Sequence, residues 1–142
     1  MKINVKSIFT SGFVTGIIIM IVGGGLVPLI GNQMDEVLKN RLLPPLSNGA
    51  MVYFALNSIV LGIGVMGFYA LIKTIINRRL MAVILTSLLF WFFTYFLANA
   101  ALVAYGFMPL GLTVIGTAWG LLELFTGVFI GSMLYKDTKQ KL

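Results

Sequence analysis

The chain has 142 residues, of which 59% are hydrophobic and only 10% charged, with a mean hydropathy of +1.02; a soluble domain is roughly half apolar and a quarter charged, so this is the composition of a membrane protein. Cys and His are absent, which excludes disulfide scaffolds, thiol redox chemistry, imidazole bases, His-ligated haem and the usual zinc sites. The net charge of +6 does not point to nucleic acid, because the Lys and Arg residues stand in short clusters at the ends of apolar runs and form no continuous basic face.

Four apolar runs, near residues 8–30, 50–72, 80–107 and 110–135, each approach the roughly 20 residues a helix needs to cross the hydrocarbon of a bilayer. A spanning segment must satisfy its backbone internally, and these runs are too long and too uniformly apolar for barrel strands, so they predict helices. The expected fold is all-α: residues 1–142 form one integral membrane domain, a bundle of four transmembrane helices.

The first run follows Lys2 and Lys6 but has no small-x-small cleavage site, and "IVGGGLVPLIG" keeps it apolar to crossing length, so it is expected to be a retained span. It carries Gly12, Gly16 and Gly23 at spacings that permit close helix contact. Gly23, Gly24, Gly25 and Pro28 weaken the helix in its second half. They mark either a broken helix lining a substrate site or a close contact followed by a helix end. In the loop "GNQMDEVLKNRLLPPLSNG", Met34, Val37, Leu38 and Leu42 share one face, with Asp35, Glu36, Lys39 and Arg41 on the other. That pattern predicts a short interfacial helix, ended by Pro44 and Pro45. It would serve as a lid, as a docking element or simply as a connector, and Ser47 or Asn48 can cap the next span.

The second run contains Asn57 and the small-residue pair Ser58 and Gly62. The third contains "FWFFTYF", residues 90–96, whose aromatics point all round a helix and so meet lipid and neighbouring helices; Thr94, Tyr95 and Asn99 add polarity. The fourth, including "TAWGLLELFTGVFIG", has Gly116, Gly120, Gly127 and Gly131 within a narrow arc, bordered by Glu123. The first and fourth runs are therefore expected to pack together, with Glu123 facing protein.

Eight of the ten basic residues, Lys2, Lys6, Lys73, Arg78, Arg79, Lys136, Lys139 and Lys141, fall on one side of this arrangement. Lys39 and Arg41 fall on the other, offset by Asp35 and Glu36. The positive-inside bias places both termini and the 73–79 connection in the cytoplasm.

Glu123 lies near the middle of its run, where an ionised unpaired carboxylate costs about 2.5–3.5 kcal/mol on insertion scales. No Lys or Arg shares its depth, so a neutral carboxyl donating a hydrogen bond is expected. The expected polar cluster is Glu123, Asn57, Asn99, Tyr95 and Thr117, with Thr94 a further acceptor and the two asparagines favoured because an amide both donates and accepts. Trp119, one turn from Glu123, is a candidate cavity-lining residue suited to an organic cation. The leading expectation for Glu123 is a plain interhelical hydrogen bond with a structural role; the alternative is proton coupling or ligand binding.

The layout resembles the small multidrug resistance transporters, but those carry their glutamate in the first span, which has no acidic residue here. "SGFVTGIIIMIVGG", "MVYFALNSIVLGIGV" and "GLLELFTGVFIGSMLY" are more similar to uncharacterised small four-span bacterial integral membrane proteins. That resemblance implies a single-domain bundle in the bacterial inner membrane and no particular activity. The leading expectation is a structural or accessory membrane component, embedded in the lipid bilayer as a homodimer or within a larger complex. The alternative is a small proton-coupled transporter using Glu123. One lone carboxylate is a poor catalytic set, so no enzyme, cofactor or metal is expected.

Overall fold

The computed structural model describes residues 3–44 and 47–137. It contains helices α1 (Val5–Gly24), α2 (Val27–Asn40), α3 (Asn48–Ile75), α4 (Arg79–Ala104) and α5 (Leu110–Leu134). Four of these, α1, α3, α4 and α5, are long and apolar enough to cross a membrane. Asn4 caps α1 by accepting from Ser7 N at 3.1 Å, and Ser47 caps α3 by accepting from Ala50 N at 3.2 Å.

The second, third and fourth runs become α3, α4 and α5 with ends moved by a few residues. The first is corrected: α1 stops at Gly24 and a separate helix begins at Val27. Pro28 has no N–H to offer the Gly24 carbonyl, so the last turn of α1 tightens instead. Gly25 N reaches Ile21 O and Val22 O at 3.2 and 3.1 Å, and Leu26 N reaches Gly23 O at 3.0 Å. The proline then sits in the first turn of α2, where its missing donor costs nothing.

In α2, Ile30, Met34, Val37 and Leu38 are half-buried while Asp35, Glu36 and Lys39 are exposed, so the expected apolar face forms. Leu42 does not belong to it. It is 94% exposed and adopts φ 56°, and the helix stops at Asn40, ahead of Pro44; Pro45 lies outside the described residues. The stop is a Schellman motif, with Leu42 N bonded to Lys39 O and Leu43 N to Leu38 O, both at 3.0 Å. α4 ends in the same motif around Gly106, at φ 70°. The Arg41 guanidinium joins the two motifs by donating to Gly106 O at 2.5 Å.

At the opposite end the chain termini meet. Asn4 N donates to the Tyr135 hydroxyl at 3.4 Å, Lys136 N donates to Ser7 Oγ at 2.7 Å, and Lys73 pairs with Asp137 at 2.8 Å. Lys6, Lys73, Arg78, Arg79 and Lys136 therefore gather at this termini end, while Lys2, Lys139 and Lys141 lie outside the described residues.

The packing is uneven along the helices. α1 touches α3 and α5, and α4 touches α5 and α3. A Cβ added at Gly12 or Gly16 would come within 2.6 Å of the Ile63 or Ile59 Cα, so α1 and α3 meet backbone to backbone. Gly127 receives Ile19 and Thr15 of α1, as the shared glycine arc predicts; Gly131 receives Thr15 of α1 and Met66 of α3. Gly116 is the exception: nothing approaches it within 4 Å, because the contact face ends a turn earlier, at Gly120. Among the described residues, the buried ones occupy only the termini half. None occurs in α2, in α1 after Ile19, in α3 before Gly62, in α4 after Ser87 or in α5 before Gly120. The distal half is splayed.

Candidate functional site

Three irregularities of the backbone and sequence converge where the packed half gives way to the splayed half. They are the break after Gly24 in α1, a π turn at Phe92–Phe96 in α4, and Glu123 in α5. In the π turn Leu97 N reaches back to Phe92 O. A wider turn holds residues four apart more nearly in line, so Trp91, Tyr95 and Asn99 all face α5.

Each finds a partner there. Trp91 Nε1 donates to Thr117 O at 2.7 Å and Asn99 Nδ2 donates to Thr117 Oγ1 at 2.9 Å, while Thr117 Oγ1 donates a hydrogen bond to Thr113 O at 2.7 Å. The Tyr95 hydroxyl donates to Glu123 Oε1. Its ring crosses α5 over Gly120, where any Cβ would overlap it. That glycine is what allows a phenol to reach a carboxylate one turn away.

Glu123 is 7% exposed, so it faces protein as its position beside the glycine arc predicts. Its second oxygen, Oε2, lies against α1: a Cβ at Gly23 would stand 2.7 Å from it. Trp119 bridges the same two helices, its Nε1 donating to Val22 O at 2.8 Å and its ring lying beside Gly25. Glu123 and Trp119, one turn apart on α5, thus both lie against the final turn of α1, next to the break. Among the described residues no Lys or Arg bonds to this carboxyl and no three His, Cys, Asp or Glu residues cluster.

The expected cluster divides. Glu123 with Tyr95 forms one pair, and Asn99 with Thr117 forms another, one to two turns further toward the distal end. Thr94 bonds its own backbone, at Phe90 O, 2.7 Å. Asn57 belongs to neither pair. It lies exposed on α3, two turns from Gly64 on the same face. At Gly64 that face meets Phe90 of α4; at Asn57 α4 has moved away. Trp119 bonds the α1 backbone rather than facing an open cavity. A groove of about 490 Å³ instead runs between the distal halves of α4 and α5, past Trp91, Phe96, Thr113 and Thr117, with apolar walls. The π turn and the role of Trp91 were not expected from sequence, since a run with aromatics all round the helix has no face to read.

Comparison with protein-family models, with curated proteins and with solved structures gave no match. The functional reading therefore rests on the site itself.

Proposed function

We propose that the protein is a small proton-coupled membrane carrier, in which Glu123 binds the proton and the broken first span forms the moving wall of a solute path. The observation that supports this most is the position of Glu123 Oε2 against Gly23, beside the break in α1. Discontinuous spanning helices place substrate and coupling-ion sites near the middle of the membrane in transporters. π turns and intramembrane carboxylates are each enriched at functional positions. Here all three meet within one side-chain length.

In this reading the helices form a four-span bundle in a bacterial inner membrane. The basic termini end faces the cytoplasm, and α2 lies amphipathically at the opposite interface. The distal opening admits a cationic or neutral solute, and the carboxyl alternates between a neutral and an ionised form as the α1 break closes over it. No catalytic role is proposed.

The test is proteoliposomes loaded with a pH-sensitive dye and challenged with a panel of organic cations and neutral solutes, ethidium among them. Solute-driven proton movement that disappears in Glu123→Gln is the expected result. Movement unaltered by that substitution, or none with any solute, overturns the proposal.

A second reading, an accessory subunit, rests on Asn57. An exposed amide on a spanning helix lacks a partner in lipid, and helix association through a shared asparagine would supply one. The same face carries Tyr53, Val60 and Gly64, all exposed, at alternating spacings of four and three. Because the chain has no cysteine, Asn57→Cys in otherwise unaltered protein reports directly. Efficient disulfide dimers at positions 57 and 60 but not at 56, together with loss of the oligomer in Asn57→Leu, would favour this reading.

A further inference from the structure

Among the described residues, three buried hydroxyls of the packed half make no hydrogen bond: Tyr69 Oη, whose side chain lies near that of Ser132, Thr86 Oγ1 and Ser87 Oγ, on residues 0%, 0% and 1% exposed. They stand out against the rest of the chain. Every other described serine and threonine makes a bond, most of them back to a carbonyl three or four residues earlier, as Thr10, Ser11, Ser58, Thr113 and Ser132 do. That local bond is open to Thr86 and Ser87 as well, and they do not take it. Leaving a buried hydroxyl without a partner is destabilising, so three together weigh on a marginal stability.

Their placement is ordered. At 1.5 Å per helical residue, Tyr69, Thr86, Ser87 and Glu123 stand roughly 9, 10, 12 and 16 Å from the termini-end limits of their own helices. Below Tyr69 its ring meets Tyr135 edge-on, with centroids 5.8 Å apart. Lys73 lies over the Tyr135 ring, 5.4 Å from its centroid, and pairs with the partly exposed Asp137. The unpaired hydroxyls thus lie at depths between the carboxyl and the polar termini surface, in a core that also contains Val65, Met66, Val83, Leu124 and Val128.

We infer that Tyr69, Thr86 and Ser87 bind a short file of water that connects Glu123 to the termini face and serves as the proton path on that side. Water is the ligand that satisfies buried hydroxyls able both to donate and to accept. One proton passes from the Glu123 carboxyl to the nearest water, each water passes one of its own onward, and one proton emerges at the termini surface, leaving Glu123 as the carboxylate. This rests on the reading of Glu123 as the proton site. It adds the route by which that site exchanges with one face.

The test needs no solute. The full chain is reconstituted in vesicles, the infrared band of the Glu123 carboxyl is identified by its loss in Glu123→Gln, and its response is timed after a pH jump on each side. In Thr86→Val/Ser87→Ala the response to a jump on the termini side should slow by about tenfold, the rate equivalent of one lost hydrogen bond, while the distal response is unchanged. Tyr69→Phe should act in the same direction. Unchanged kinetics in both variants overturn the water path and leave the carrier reading intact, whereas a wild-type band that responds from neither side overturns both. Thermal stability separates the remaining cases by sign: Thr86→Val destabilises if its hydroxyl holds water, and stabilises, against the path, if the hydroxyl is stranded in a dry core.

Discussion

A Cβ placed on Gly62 would fall onto the backbone of Gly12 and Gly16, and backbone, unlike the far end of a side chain, cannot step aside. Gly62→Val should therefore destabilise the protein by about 1–3 kcal/mol, the usual cost of overpacking. A thermal melt in detergent measures it; an unchanged midpoint would mean that α1 and α3 are not in backbone contact. Trp119 offers a finer probe, since Phe keeps most of the ring and deletes only the indole donor to Val22 O. Trp119→Phe should cost about 1 kcal/mol, with faster hydrogen exchange at Gly25. At this scale the sequence was readable where steric need leaves one residue type, so Gly12, Gly16, Gly62 and Gly127 were found. It was less readable for partners. That Glu123 is buried follows from its spacing to the glycines, but that Tyr95 and not Asn57 or Asn99 reaches it depends on a π turn and on the room above Gly120, and neither has a signature in one sequence.

Elements end here for two different reasons, and each has its own test. α2 closes with Leu42 at φ 56° and 94% exposed, so the side chain gains no packing in return for a left-handed backbone that costs a non-glycine residue about 1–2 kcal/mol. Leu42→Gly should stabilise the protein by about 0.5–1 kcal/mol after the greater freedom of glycine in the unfolded chain is counted. Denaturant titration in micelles would show it, and a loss of stability would place that residue in some other conformation. α1 stops because Pro28 withholds an N–H from Gly24 O. Pro28→Ala restores the donor, so α1 and α2 should fuse, with amide protection across residues 24–28. If the break is the moving wall of a carrier, proton-coupled uptake should fall sharply although the protein has become more stable. The glycines and proline showed in sequence that the helix weakens there. They did not separate a helix end from an interruption, because that distinction depends on Glu123 and Trp119 a hundred residues away.

On the scale of the whole molecule, burial among the described residues is confined to the termini half, and the distal halves of α4 and α5 flank an open groove. Local opening is cheapest where few apolar contacts must be broken. Backbone amides in α2 and in the α4 segment after Phe96 should thus exchange much faster than those of residues 7–19 or 62–70. An equal rate would remove the asymmetry on which an outward opening depends. The direction of that opening follows from charge. Lys6, Lys73, Arg78, Arg79 and Lys136 gather at the packed end, while the distal end offers Lys39 and Arg41 beside Asp35 and Glu36. Short loops rich in Lys and Arg stay in the cytoplasm, so the packed end should be inside and the opening outside. Alkaline phosphatase folds only after export. Fused after residue 142 it should be inactive, and inserted between residues 31 and 48 it should be active. The reverse pattern would turn the opening toward the cytoplasm and make the Tyr69 to Ser87 interval an external path, with Glu123 still at its inner limit.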